Sequence, residues 1–301
     1  MNKKLVDIIS KLSRLTGITY LFREFIFDKR VTILLYHNID LNIFQSHLEV
    51  FNKYYNVIPL KKYVRSIKTG DFSDIPKKAL IITFDDALKE NYGLLKAVKE
   101  HDCQITLFVP TSLVNSNRRL WTTELVKFES IEYLLSLDKD QLVQIFKKYN
   151  YDFEKEYDSR QFLTNKELSE MAEFFDFQPH TKFHENLNCL DEEETLTTIK
   201  ESKLYLEKQF DSEIYTFAPP FGLYTNKELK ICKEKLGLDV ILTIKPNLNK
   251  RQKGLFELNR IGIPDNINVD NMLFRLSGLY TFLRSLPVIN KSSSFYKVFD
   301  E

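Results

Sequence analysis

The chain is poor in the residues by which several protein classes announce themselves. Only three cysteines occur in 301 residues, Cys103, Cys189 and Cys232. They lie far apart, without the paired spacing of a zinc-thiolate site, and read as reduced, partly buried thiols of a cytosolic protein. Neither sign of charge is in surplus: 43 basic residues face 42 acidic ones. A balance of +1 leaves no electrostatic footprint for nucleic acid, so none is expected as a partner. The amino-terminal region lacks a long apolar run, because Asp7, Lys11, Arg14, Arg23 and Glu24 interrupt the stretch from Leu5 to Phe27. Neither a clean signal-peptide core nor a membrane span is therefore expected there. Internal repeats and low-complexity tracts are absent, histidines number five, and Trp121 is the single tryptophan.

What is present is the composition of an ordinary globular protein, 43% hydrophobic and 28% charged, long enough to bury one large core. Leu5, Ile8, Ile9, Leu12 and Leu15 mark one face of an amino-terminal helix. That face is expected to pack against the domain; with Lys4, Lys11 and Arg14 on its other faces, peripheral contact with an anionic membrane surface is the alternative. After Arg30 the pattern alternates. Strands are predicted at 31–36, 57–60, 80–84, 104–109, 174–178, 214–217, 240–244 and 258–261, with helical spacing between most of them. Strand followed by helix and strand again is the signature of parallel α/β architecture. Residues 112–160 break the rhythm and read as an insertion over one rim of the sheet. The reading divides the chain into an amphipathic appendage (1–30), a barrel-like domain (31–265) and a carboxy-terminal helical tail (266–301).

The chemistry-bearing residues stand at predicted strand ends. The apolar run Leu80-Ile81-Ile82-Thr83-Phe84 leads directly into Asp85 and Asp86. Two carboxylates are costly at the end of a strand buried on both faces unless they have a purpose, such as a metal ligand beside a general base; capping the next helix is the structural alternative. His180 and His184 follow another strand, four residues apart, a spacing that would place both imidazoles on one side of a helical turn. Two histidines and one aspartate would leave open positions on a borderline metal ion, which a hydrolase needs. His37 ends the first strand, where open-sheet and barrel enzymes keep their chemistry.

Thr83-Phe84-Asp85-Asp86 and His180-Thr181-Lys182-Phe183-His184 together resemble the two leading motifs of the polysaccharide deacetylase family, the NodB-homology group of carbohydrate esterases. The resemblance covers residues 31–263 and implies a distorted, incomplete (β/α) barrel that removes acetyl groups from sugars with a divalent metal, zinc first, cobalt or nickel as alternatives. It implies that Asp85 is the general base and that Asp86, His180 and His184 hold the metal. Pro219, Pro220 and Phe221 would shape the groove wall, and the Phe221 N–H would face the developing oxyanion. Trp121 and Glu124 resemble a rim segment whose aromatic ring stacks on a sugar; a core tryptophan is the alternative.

Two departures from the family pattern stand out. Ala218 occupies the place where an arginine often braces the catalytic aspartate, and no histidine follows His184, so the family's late histidine acid has no match. Arg260 stands near that place and could stabilise the tetrahedral intermediate, but it stays charged and is a poor proton donor. His37 is the alternative proton source, or a hydrogen-bonded histidine lining the cup. The expected substrate is an acetylated saccharide, a bacterial surface-glycan or lipid-linked precursor met in the cytoplasm or at the membrane's cytoplasmic face. The competing class is a non-catalytic carbohydrate-binding or scaffolding protein on the same barrel.

Overall fold

The computed structural model of the protein describes residues 3–211, 213–264 and 267–285; the end of the expected carboxy-terminal tail lies outside them. The chain divides into two compact units, residues 1–83, 96–105 and 243–301 forming the first, and 84–95 and 106–242 the second.

The first unit is built on β1 (Val31–Tyr36), β2 (Asn56–Val57) and β3 (Ala79–Phe84, whose last residue already belongs to the second unit). All six residues of both β1 and β3 are buried, which explains why neither shows alternation. β2 pairs with β3 in parallel, Val57 beside Leu80. Leu60 does not extend β2 as expected: after Pro59 it opens the helix Leu60–Thr69, because proline removes a ladder donor yet suits a helix start.

The second unit carries β4 (Ile105–Val109), β5 (Phe175–Pro179), β6 (Thr216–Phe217) and β7 (Val240–Leu242). β6 pairs with β7 in parallel, Phe217 beside Ile241. The long helix Glu192–Phe210, started by the Asp191–Glu194 capping box, packs on β5. The predicted last strand is two short ones of the first unit, β8 (Glu257–Leu258) and β9 (Ile261–Gly262), and β9 lies parallel to β1 with Leu34 beside Ile261. Among the described strands, no sheet order returns to its start. The fold is thus a mixed α/β arrangement of open parallel sheet, the distorted incomplete (β/α) barrel that was expected.

Residues 112–160 hold three helices, Trp121–Leu125, Ile131–Ser136 and Lys139–Lys148, around a small core of Trp121, Leu125, Leu134, Leu142 and Ile145. At the other end, the expected tail helix is two, Val269–Leu276 and Leu279–Ser285. Gly278 parts them: its φ is +83°, and a Cβ there would lie 2.6 Å from both Leu248 and Phe27 side chains. The helix Lys3–Leu15 packs on Val269–Leu276.

Candidate metal centre

Asp86, His180 and His184 converge in the second unit, all buried, with their ligand atoms within 4.8 Å of one another. Asp86 Oδ1 lies 3.2 Å from His184 Nε2 and 3.6 Å from His180 Nε2. Ligands bound at about 2.0–2.2 Å around a tetrahedral ion stand roughly 3.3 Å apart, so these separations suit such a site.

The hydrogen-bonding of His180 makes the fit specific. Its Nδ1 lies 2.6 Å from the Ala218 carbonyl oxygen. A carbonyl only accepts, so Nδ1 carries the hydrogen, and in the neutral ring Nε2 presents a lone pair to the Asp86 carboxylate. Two electron-rich atoms aimed at one point repel unless a cation stands between them. A ligand histidine whose other nitrogen is fixed by a carbonyl is also the usual arrangement around zinc.

The two histidines do not sit on a helical turn, contrary to the spacing argument. Residues 180–186 are loop, and the rings meet because the backbone reverses at Thr181 (φ 64°) and His184 (φ 58°). Asp86 (φ 75°), Ala87 (φ 51°) and Phe221 (φ 59°) are left-handed as well. Half of the ten non-glycine residues with positive φ among those described therefore belong to three short segments around one centre, and for β-branched Thr181 the conformation is a true outlier. Each such residue costs about 1–3 kcal/mol and persists only where its surroundings over-determine it.

Those surroundings are visible. The Thr181 hydroxyl donates to the His180 carbonyl at 2.6 Å and accepts from Glu185 N–H at 3.2 Å. The Thr181 carbonyl accepts from Thr111 N–H at 3.2 Å and from the Ser202 hydroxyl at 2.9 Å. Thr198 donates to Glu185 at 2.7 Å and accepts from Lys182 N–H at 3.1 Å. Thr195, Thr198 and Ser202 are the buried polar line of helix Glu192–Phe210. That line, at i, i+3 and i+7 on an otherwise apolar face, was the available signal for this network and was missed.

Trp121 is 1% exposed, so it offers no open face to a sugar and is the core residue of the alternative reading. Its indole nevertheless serves the centre: Nε1 donates to the His184 carbonyl at 2.9 Å. The Phe221 ring lies edge-on to both, 4.5 Å from the His184 centroid and 5.6 Å from that of Trp121. Pro219 and Pro220 are buried, while Phe221, Gly222 and Leu223 of that turn each keep some exposed surface.

Asp85 is buried at the end of β3, directly before Asp86. His37 and Arg260 belong to the first unit. His37 is exposed just past β1. Arg260 is fully buried between β8 and β9, its Nε donating to the Thr243 carbonyl at 3.1 Å and its Nη1 to Thr83 Oγ1 at 3.3 Å.

A family model described as polysaccharide deacetylase matches residues 73–241, more than half of the chain. The chain belongs to the polysaccharide deacetylase family. The Bacillus subtilis relative YxkH is 22% identical over 246 residues, spanning 78% of this chain and 71% of its own. Among solved structures, the Streptococcus pyogenes deacetylase PplD, in complex with acetate, superposes with a TM-score of 0.60 at 23% identity, covering 82% of this chain and 98% of that one. IcaB from Ammonifex degensii gives 0.59 at 12% identity, covering 83% and 97%. At such identities the superpositions establish the shared fold. Family, fold and the buried Asp86–His180–His184 cluster together support metal-dependent hydrolysis of acetylated sugars by this polysaccharide deacetylase.

Proposed function

We propose that the protein deacetylates a bacterial surface-glycan or lipid-linked precursor in the cytoplasm or at the cytoplasmic face of the membrane. The proposed ion in its Asp86–His180–His184 cluster is zinc, with cobalt or nickel as alternatives. The observation that carries the reading is the convergence of one carboxylate oxygen with two imidazole nitrogens, one of them held in the metal-binding tautomer.

A divalent ion there would polarise the acetyl carbonyl and acidify water. Asp85, adjacent in the chain but not in the cluster, takes the proton from the attacking water as general base. The Pro219–Leu223 turn commits the N–H groups of Gly222 and Leu223 to its own carbonyls, at 3.0 and 3.1 Å. The Phe221 N–H is the proposed donor to the oxygen that gains charge as the acetyl carbon becomes tetrahedral. For the leaving-group proton the proposal is His37, and for charge stabilisation Arg260; His37→Gln and Arg260→Lys check them.

Acetate release from a panel of N- and O-acetylated glycans tests the reading, using protein stripped by a chelator and then supplied with zinc, cobalt or nickel. Release that returns with metal and disappears in Asp85→Asn is expected. If metal-loaded protein releases none and Asp85→Asn changes nothing, the enzymatic reading fails. Fractionation that finds the native protein outside the cell would overturn the proposed location.

A further inference from the structure

The helix Lys3–Leu15 has two apolar sides, and only one of them holds the fold. Val6, Ser10 and Ser13 are buried, with Val6 packed on Phe274, Leu279 and Tyr280. Leu5, Ile8, Leu12 and Leu15 are all exposed, up to 68% at Leu15. Their spacing of i, i+3, i+7 and i+10 makes one continuous stripe. The side expected to pack inward is thus largely the side that faces out.

The apolar surface continues past the helix. Gly17 turns the chain at φ 76°, and Ile18, Leu21 and Phe25 follow, all exposed, while Phe22 turns inward to meet Phe27 and Phe282. Of the sixteen large hydrophobic side chains exposed among the described residues, nine lie between Leu5 and Ile26. Isolated exposed apolar residues need no explanation, but a concentration on one short segment does.

Charge indicates what covers it. Residues 1–30 contain seven basic and three acidic side chains, a net +4 in a chain whose total is +1. The three acids are engaged locally: Asp7 accepts from Asn268 and Asn271, Glu24 pairs with Arg23 and Lys78, and Asp28 with Lys77. Lys11 stands exposed beside the stripe and Lys29 is exposed in the same segment. An apolar stripe bordered by cations matches a bilayer whose headgroups are anionic. A second copy of the chain would bring a +4 segment against another, which disfavours self-association.

We infer that residues 5–26 form an interfacial docking surface for an anionic lipid bilayer, which the stripe enters in plane without crossing. No helix among the described residues is long and apolar enough to cross a membrane. The inference is independent of the deacetylase reading.

Flotation of the 301-residue protein with vesicles tests it, comparing pure phosphatidylcholine with a mixture containing phosphatidylglycerol. Binding to the anionic vesicles is expected, weakening with salt. The combined variant Leu12→Glu, Leu15→Glu and Phe25→Glu should bind at least about ten-fold more weakly, since each change removes an apolar contact and adds repulsion. Lys11→Glu with Lys29→Glu should weaken binding to anionic vesicles only. These side chains are exposed, so thermal melting and metal-dependent acetate release from a soluble substrate should stay at wild-type values. Three results would overturn the inference: no flotation with anionic vesicles at low salt, equal binding to neutral vesicles, or a dimer that the triple variant converts to monomer without any vesicle binding. Loss of acetate release with lipid binding intact would count against the enzymatic reading alone.

Discussion

The metal centre and the amino-terminal segment break the ordinary rule of burial in opposite directions. Around Asp86 the chain buries carboxylates, imidazoles and threonine hydroxyls, and spends backbone strain to do so. Between Leu5 and Ile26 it leaves leucine, isoleucine and phenylalanine in water. Each is informative because it departs from what stability alone would select. The centre is over-determined by hydrogen bonds from four segments, whereas the outer stripe is anchored only through its opposite side. The first should therefore tolerate little change, and the second a great deal.

The largest effect expected is at Asp85. Asp85→Asn should lower acetate release by about 10²–10⁴-fold, the usual contribution of a general base, the role proposed for it, with metal content unchanged. His184→Ala should instead lose the metal, so metal analysis of the two variants separates base from ligand.

His47 supplies a control, because it is a buried polar residue outside the centre. It is 2% exposed, shares a 3.0 Å hydrogen bond with Tyr36 Oη, and burial pushes its pKa down from 6.5 to about 4. The folded state thus prefers the neutral ring, while the unfolded chain binds a proton below 6.5. The contribution is complete above pH 6.5 and is lost as pH falls towards 4, at most about 3 kcal/mol. Urea unfolding across that window should show the loss, and His47→Gln should flatten the slope. An unchanged slope would show that burial at this position carries no such linkage.

Trp121→Phe removes the donor to the His184 carbonyl but keeps an aromatic ring. Zinc affinity should fall about ten-fold, as for other groups that support a ligand from behind, measured by competition with a chromophoric chelator. Unchanged affinity would reduce Trp121 to a packing role. The smallest effect is expected on the outer stripe: Leu12→Ser with Leu15→Ser should shift unfolding free energy by no more than about 0.5 kcal/mol, as for surface sites generally. Val6→Ala on the same helix should cost more, about 1–2 kcal/mol, because it opens a packed contact.

Much of this was legible from residues alone. Uninterrupted apolar runs announced β1, β3 and β4, and two short motifs named the metal cluster. The misreadings have physical causes. A separation of four residues serves a helix and a doubled-back loop equally well, and no glycine marks the left-handed turns at Thr181 and His184. Helical periodicity identifies a stripe, but Val6 and Ser10 show that small or polar residues can form the inward side. Trp121 was ambiguous because an indole buries well and also stacks on sugars; only the location of its N–H partner separates the two.

The contact between His180 and position 218 has a consequence for how the family can be compared. What the imidazole meets is the peptide oxygen between Ala218 and Pro219, 38 residues along the chain. A residue that precedes proline is biased towards extended conformations, so the pyrrolidine ring at 219 helps to aim that oxygen. The choice between the two tautomers of a metal-binding ring is thus inherited from the stereochemistry of one Ala–Pro dipeptide. The methyl group at 218 plays no part in that choice. Alignments of side chains will miss such a device, and so will alanine scanning, since the working atom is common to every amino acid.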